Sequence, residues 1–474
     1  MKDRNLLFIF SDEHQARALS SAGHPFVQTP NLDKLAERGT RFENCYTPCP
    51  ICVPARASLM TGQHVHKIGN WDNAAPYTGE DRSFAHELSD AGVHVDSIGK
   101  LHFKNADVST GFNKQHIPMH VMDGIGAVWA AVRDPLPETP RQTKMLTQIG
   151  EGLSDYNRYD LAVTEETLKW LREDGRSVTP WMLHLGFVAP HFPLVVPEEF
   201  LKLYDPADMP LPPLHPTSGY VNHPWMARMI EYADTDSELR TADEKRLAIA
   251  AYFGLCTFLD HQIGRVLDVL EEQNMADNTT IIYASDHGET LGMRGRWGKS
   301  VLYRESAEVP MIMAGAGIPQ GHVHKAATNL LDLPPTFLEF FDVPVPERFD
   351  GVSLYQQLQA PPDPDRTVFS QYHAVGAASG GFMIASENWK YHYYIGYAPE
   401  LFDLSQDPDE MNDLAGDPDY KEVQERMHAA LLVHCDPQEV DARAKSDQNK
   451  LVESHGGPEK VGDLGPPSAT PPPV

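Results

Sequence analysis

Five apolar residues, Leu6-Leu7-Phe8-Ile9-Phe10, run directly into Ser11-Asp12-Glu13-His14. A short unbroken apolar run of this kind predicts a strand buried on both faces, with polar groups delivered at its C-terminal end. Comparable runs from Val93 to Ile98, Trp181 to Val188, Thr279 to Ala284 and Val309 to Ala314 predict further strands. Helical periodicity lies between them. Thr29-Pro30-Asn31 predicts a capped start, Leu32, Leu35 and Ala36 an apolar stripe, and Gly39 a stop. Ser83 to Ala91 and Asp160 to Arg172 predict two more helices, and a long one opens on the capping box Thr241-Ala242-Asp243-Glu244. This alternation predicts an α/β fold, a large mostly parallel or mixed sheet flanked by helices, with ligands at the carboxyl ends of its strands.

The pattern changes near Ala360, where Pro361-Pro362-Asp363-Pro364 reads as a linker. Shorter, aromatic-rich strand segments follow at Thr367 to Tyr372, Gly381 to Ile384 and Trp389 to Gly396, then a helix from Lys421 to His434. The expected division is a large catalytic domain over 1–362, a small α+β domain with an antiparallel sheet over 363–440, and an extended Pro-rich tail over 441–474. Sixty-seven acids against 39 bases give a net charge of -28, which argues against nucleic acid or an anionic membrane as partner. An anionic substrate would then need a locally positive pocket, so basic residues inside motifs gain weight. The apolar runs are too short to cross a bilayer. No signal-like segment precedes the first strand, and five cysteines are too few and too odd for a disulfide framework, so the expected compartment is the cytoplasm.

The densest chemistry lies from Cys45 to Gly62. Three readings of it stand side by side. Cys45, Cys49 and Cys52 have the C-x3-C-x2-C spacing of an iron–sulfur loop, although no glycine-rich cofactor strand follows. They can equally be core thiols around a helix that starts near Pro54 and stops at Gly62. The third reading takes Cys52-Val53-Pro54-Ala55-Arg56 together with acids at two strand ends, Asp12-Glu13 and Asp286-His287-Gly288-Glu289. Carboxylates with one imidazole suit Ca²⁺, Mn²⁺ or Mg²⁺.

The segment Cys52 to Arg56 resembles the C-x-P-x-R signature of the sulfatase family, within the alkaline phosphatase superfamily. Gly99-Lys100-Leu101-His102, Ala189-Pro190-His191, Gly298-Lys299 and the Leu401-Phe402-Asp403-Leu404 hairpin resemble its further elements in order along the chain. Trp71-Asp72-Asn73-Ala74-Ala75, Asp286-His287 and Gly292 to Trp297 are nearest the choline sulfatase and phosphonate monoester hydrolase branch. The segment Gly111 to Gly152 does not resemble the corresponding part of choline sulfatases.

The resemblance implies an alkaline-phosphatase-like fold and hydrolysis of a small aryl or alkyl sulfate monoester, with phosphonate monoester or phosphodiester hydrolysis as the alternative. It implies that Cys52 is converted to formylglycine by a generating enzyme and that its hydrate is the nucleophile. The implied metal ligands are Asp12, Glu13, residue 52, Asp286 and His287, with Ca²⁺ as the favoured ion. Lys100 and Lys299 would bind the sulfuryl oxygens, with Asn73 as a further contact, and Arg56 would hold the nucleophile and the carboxylates. His102 would be the base for sulfate release, and His191 with Lys299 the acid for the leaving oxygen. Loops such as Gly111 to Gly152 would shape the leaving-group pocket, and the C-terminal tail implies a homodimer or homotetramer. Asp260-His261 reads as a cap or bridge between elements, and His64 and His66 stay open.

Overall fold

The computed structural model describes residues 4–466 and 470–473. Its main sheet has eight strands in the order His322–His324, Gly39–Phe42, Met311–Ala314, Thr279–Ser285, Asn5–Asp12, Trp181–Pro190, His94–Lys100, Lys114–Met119. Met311–Ala314 runs antiparallel to both its neighbours, and every other pairing is parallel. The sheet is therefore mixed and mostly parallel, as the alternating pattern predicts. Successive residues of Asn5–Asp12 feed opposite cores: Leu7 and Ile9 pack on one face, Leu6, Phe8 and Phe10 on the other. This double burial explains why the strand carries an unbroken apolar run.

The longest helix, Ala242–Glu272, lies on the first face. It opens with the predicted capping box, Thr241 accepting from the Glu244 N–H and the Glu244 carboxylate from the Thr241 N–H. Asp260 in its middle is a cap for another helix. Its carboxylate accepts from the Asn31 and Leu32 N–H groups at the start of Pro30–Glu37. Thr29, the expected cap, makes no such bond with its side chain.

Beyond the linker, Val368–Tyr372, Gly381–Ala385, Trp389–Tyr394 and Glu400–Asp403 form a four-stranded antiparallel meander. Helix Lys421–His434 packs against it. One expectation fails. Residues 437–454, assigned mostly to an extended tail, form the helix Pro437–Ser454, with Asp436 capping Gln438 and Glu439 and Pro437 at the first position. Its apolar stripe is narrow (Val440, Ala444 and Val452 are buried), and the charged residues between them hid the period.

Candidate active site

The site forms where parallel strands end together. Ser11 lies opposite Ser285, so Asp12 and Asp286 leave adjacent strands side by side. On the other flank Asp12 pairs with Pro190, which places His191 next, and Gly99 pairs with Gly186 just before Lys100. Those last two strands touch backbone to backbone. A Cβ on Gly186 would lie 2.3 Å from the Lys100 carbonyl oxygen, and one on Gly99 2.1 Å from the Gly186 oxygen. Glu13 turns out of its strand with φ 68°, a left-handed conformation rare outside glycine, and His102 does the same with φ 57°.

Cys52 is the first residue of the buried helix Cys52–Thr61, which Gly62 ends at φ 69°. The thiol thus sits at the positive end of the helix. Its Sγ lies 3.1 Å from Lys299 Nζ, 3.1 Å from His287 Nε2 and 3.7 Å from Asp12 Oδ1. One turn on, Arg56 stacks over Phe10 and clamps both strand-end acids, Nε to Asp286 Oδ2 at 2.9 Å and Nη2 to Asp12 Oδ2 at 3.0 Å. Lys100 Nζ is 2.7 Å from the same Asp12 oxygen.

Ligand atoms of Asp12, Cys52, Asp286 and His287 lie within 4.8 Å of one another, and Asp12, Glu13 and His191 form an overlapping group. Cys45 and Cys49 belong to neither group. Cys45 packs against the Met311 sulfur, and both are buried core thiols, so the iron–sulfur reading has no cluster to hold. The carboxylate Oε1 of Glu13 is buried with no N–H or O–H donor of another residue on it, and the Glu289 carboxylate lies beside it. An orphaned acceptor among hard oxygen donors is what a divalent cation would satisfy.

Electrostatics follow from burial. Burial opposes ionisation of Asp12, but Lys100, His191, Lys299 and Arg56 outweigh it and hold the carboxyl well below its usual range. Burial pushes Glu13 up to about 8, with Glu289 and Asp12 adding to the rise and Lys299 and His287 opposing it. Burial and the Asp12 charge raise the Cys52 thiol to about 12, so an unmodified Cys52 is a neutral thiol. His191 and His102 are driven well below their usual value by burial and by nearby lysines. Neutral His191 donates Nδ1–H to the Phe192 carbonyl at 2.6 Å, which leaves Nε2 to accept from Lys299 Nζ at 2.7 Å. Both ring nitrogens of His102 lack partners.

A cavity of about 110 Å³ opens beside Cys52, lined by Asn73, His102, His191 and Lys299. Asn73 is fixed through its Oδ1, which accepts from the Val53 N–H. Residues between Val121 and Met145 form one wall, as expected of the 111–152 segment, and Pro466 and Thr470 close the cavity from the same chain. Thr470 is held through Tyr156, and Pro466 through the Trp129 indole. Arg296, Trp297 and Thr235 also line it. The sequence reading assigned none of them a role, although Arg296 stands three residues before Lys299. A larger cleft of about 800 Å³ lies elsewhere and touches none of the nominated residues. His64 and His66 stack on each other, and Gln371 binds His66, an arrangement that serves packing.

A buried cysteine at a helix start, paired strand-end carboxylates and two inward lysines meet at one sheet edge, a set that a metal-assisted hydrolase of tetrahedral oxyanion esters would use. The pattern of the sulfatase family matches residues 4–343, and that of the N-sulphoglucosamine sulphohydrolase C-terminal region matches 292–436. A choline-sulfatase of Rhizobium meliloti is 31% identical, covering 94% of this chain and 89% of its own. A multifunctional alkaline phosphatase superfamily protein of Trinickia caryophylli is 30% identical, covering 89% and 93%. Among solved structures, the phosphonate monoester hydrolase of Silicibacter pomeroyi superposes with a TM-score of 0.75 at 26% identity, covering 91% and 95%. The chain belongs to the sulfatase family and is a sulfuric ester hydrolase.

Proposed function

We propose that this enzyme hydrolyses small organic sulfate monoesters through a formylglycine made from Cys52 by a formylglycine-generating enzyme. The observation that supports this most directly is the placement of Cys52 Sγ at 3.1 Å from both Lys299 Nζ and His287 Nε2, beside Asp12 and Asp286. Asp12, Asp286 and His287 would hold one divalent cation, with Glu13 joining beside Asp12. Carboxylates with one imidazole suit Ca²⁺, Mn²⁺ or Mg²⁺, and Ca²⁺ is the ion this reading favours from the family resemblance. Bound there, the cation supplies the positive charge that makes a hydroxyl on residue 52 nucleophilic at neutral pH.

The chain's own residues do the rest. Arg56 fixes both carboxylates and keeps residue 52 facing them. Lys100, Lys299 and Asn73 meet the charge on the sulfuryl oxygens. Lys299 carries the proton on the His191–Lys299 pair and would give it to the leaving oxygen, which departs as the alcohol; His191 Nε2 holds the ammonium in place, and a proton from solvent recharges Lys299 before the next turnover. Neutral His102, with its nitrogens free, takes the proton that frees sulfate.

A second reading, phosphonate monoester or phosphodiester hydrolysis, draws support from the TM-score of 0.75. The proposal also includes a cytoplasmic homodimer or homotetramer, tested by cell fractionation and light scattering. No helix among the described residues is long and apolar enough to cross a membrane. Mass spectrometry of the tryptic peptide from Phe42 to Arg56 tests the nucleophile. A hydrazine-reactive carbonyl at position 52 in active protein is expected, and an intact thiol in fully active protein would overturn the mechanism. Rates on matched sulfate and phosphonate esters separate the two substrates.

A further inference from the structure

Among the described residues four arginines are more than nine-tenths buried: Arg56, Arg133, Arg294 and Arg296. Three have acidic partners. Arg56 pairs with Asp12 and Asp286, Arg133 with Asp441 at 3.5 Å, and Arg294 with Glu305 at 3.8 Å while stacking on Tyr303. Arg296 differs. It donates Nε–H to the Lys299 carbonyl at 3.0 Å, its Nη1 has no hydrogen-bond partner, and no carboxylate of the described residues forms an ion pair with it. The groups with negative character around it are Tyr372, Glu289 and Asp234. None forms an ion pair with Arg296, and each has at least one oxygen engaged by another group. Tyr372 donates to the Val375 carbonyl, Glu289 accepts from the Leu291 and Gly298 N–H groups, and Asp234 accepts from the Asp236 and Ser237 N–H groups.

A buried guanidinium without an anion is costly, and the cost is removed by whatever anion fills its place. Arg296 lines the same cavity as Cys52 and Lys299. Lys100 and Lys299 already face the position of the sulfuryl group, so Arg296 is a positive charge beyond what that group requires. The remaining walls are largely apolar, with Trp129, Trp297, Phe192, Val121 and Met145, and Arg141 lies over the Trp129 ring as a second guanidinium in the lining. A planar carboxylate matches the fork of a guanidinium with two parallel hydrogen bonds.

We propose that Arg296 binds a carboxylate on the alcohol half of the ester, so that this enzyme acts on sulfate esters of small hydroxy acids. The proposal rests on the sulfatase reading and deepens it. The same charge works against a cationic alcohol such as choline.

The test uses full-length protein with its carbonyl at residue 52 verified and Ca²⁺ supplied. Sulfate release is measured on glycolate, 3-hydroxypropanoate and 4-hydroxybutanoate O-sulfates, against the n-alkyl sulfates of equal chain length and choline sulfate. At least one hydroxy-acid sulfate should exceed its alkyl counterpart by about tenfold or more in kcat/KM, chiefly through KM. Arg296→Leu should bring that ratio to about one, whatever it does to absolute rates, and Arg296→Lys should restore part of it. Should the leucine variant not fold, product inhibition of the wild type decides the matter, with the free hydroxy acid binding more tightly than the plain alcohol. Alkyl sulfate turnover without any carboxylate preference, or a preference that survives Arg296→Leu, overturns the role of Arg296 and leaves the sulfatase reading standing. No turnover of any ester by verified protein overturns both.

Discussion

Two buried glutamates show how differently this chain treats charge. Glu410, in the C-terminal region, has Lys390 Nζ at 2.7 Å on Oε1 and the Arg304 N–H on Oε2. Burial opposes its ionisation, but Lys390, His392, Arg294 and Arg304 outweigh it and hold the carboxyl down at about 2. Glu13 is equally buried, yet its nearest cation, Lys299, is shared with Cys52 and His191, and Oε1 has no N–H or O–H donor of another residue on it. Burial lifts it to about 8. One cluster is completed by the chain's own cations. The other gathers Asp12, Glu13 and Asp286 at the strand ends and leaves a Glu13 oxygen without a donor, which is where the proposed cation would sit.

Substitutions break this contrast in graded steps. Cys52→Ala or Asp12→Asn should lower sulfate release by about 10⁴-fold or more. A large loss of melting temperature with activity retained would instead make this cluster structural like the other. Lys390→Met should strand Glu410 as a buried charge and cost about 3–5 kcal/mol in urea unfolding, with kcat/KM kept. Glu410 also sets an acid limit. Its folded pKa lies below the unfolded value, so its stabilisation is present above about pH 4.5 and is lost as pH falls toward 2. That amounts to about 3 kcal/mol, and a Glu410→Gln variant should show a flatter acid limb in pH-dependent melts. Glu13→Gln should weaken divalent cation affinity about tenfold by calorimetry, and an unchanged affinity would remove Glu13 from the metal site. Asp260→Ala, which touches neither cluster, should cost about 1–2 kcal/mol through the lost cap and leave cation affinity unmoved.

Much of this arrangement was legible in the chain. Unbroken apolar runs marked the doubly buried strands, and each run ended on the polar groups that now meet. Asp12, Cys52, Arg56, Lys100, His191, Asp286, His287 and Lys299 are all brought together in the fold. What stayed hidden depends on partners distant in sequence. Asp260 was legible as a cap or bridge, but which helix it caps was not, because its partner Asn31 lies 229 residues earlier. Helix Pro437–Ser454 was missed because propensity and caps, more than a wide apolar stripe, hold it. Arg296 was legible only as part of the Gly292 to Trp297 motif, and the fold alone shows that no acid of the described residues forms an ion pair with it.

The separation of the site's parts along the chain also sets an order of events during synthesis. Lys299 is made 247 residues after Cys52, and the folded enzyme leaves the Cys52 residue only 1% exposed. At about 5–20 residues per second, the ribosome takes roughly 12–50 seconds to cover that distance. For that interval the thiol is on an unfinished chain without the strand and lysine that later enclose it. A maturing enzyme that must reach the sulfur has its opening then, and once the last strands of the main sheet pair, the window shuts. Under the proposed conversion of Cys52, translation speed would help set how much of this protein leaves the ribosome competent.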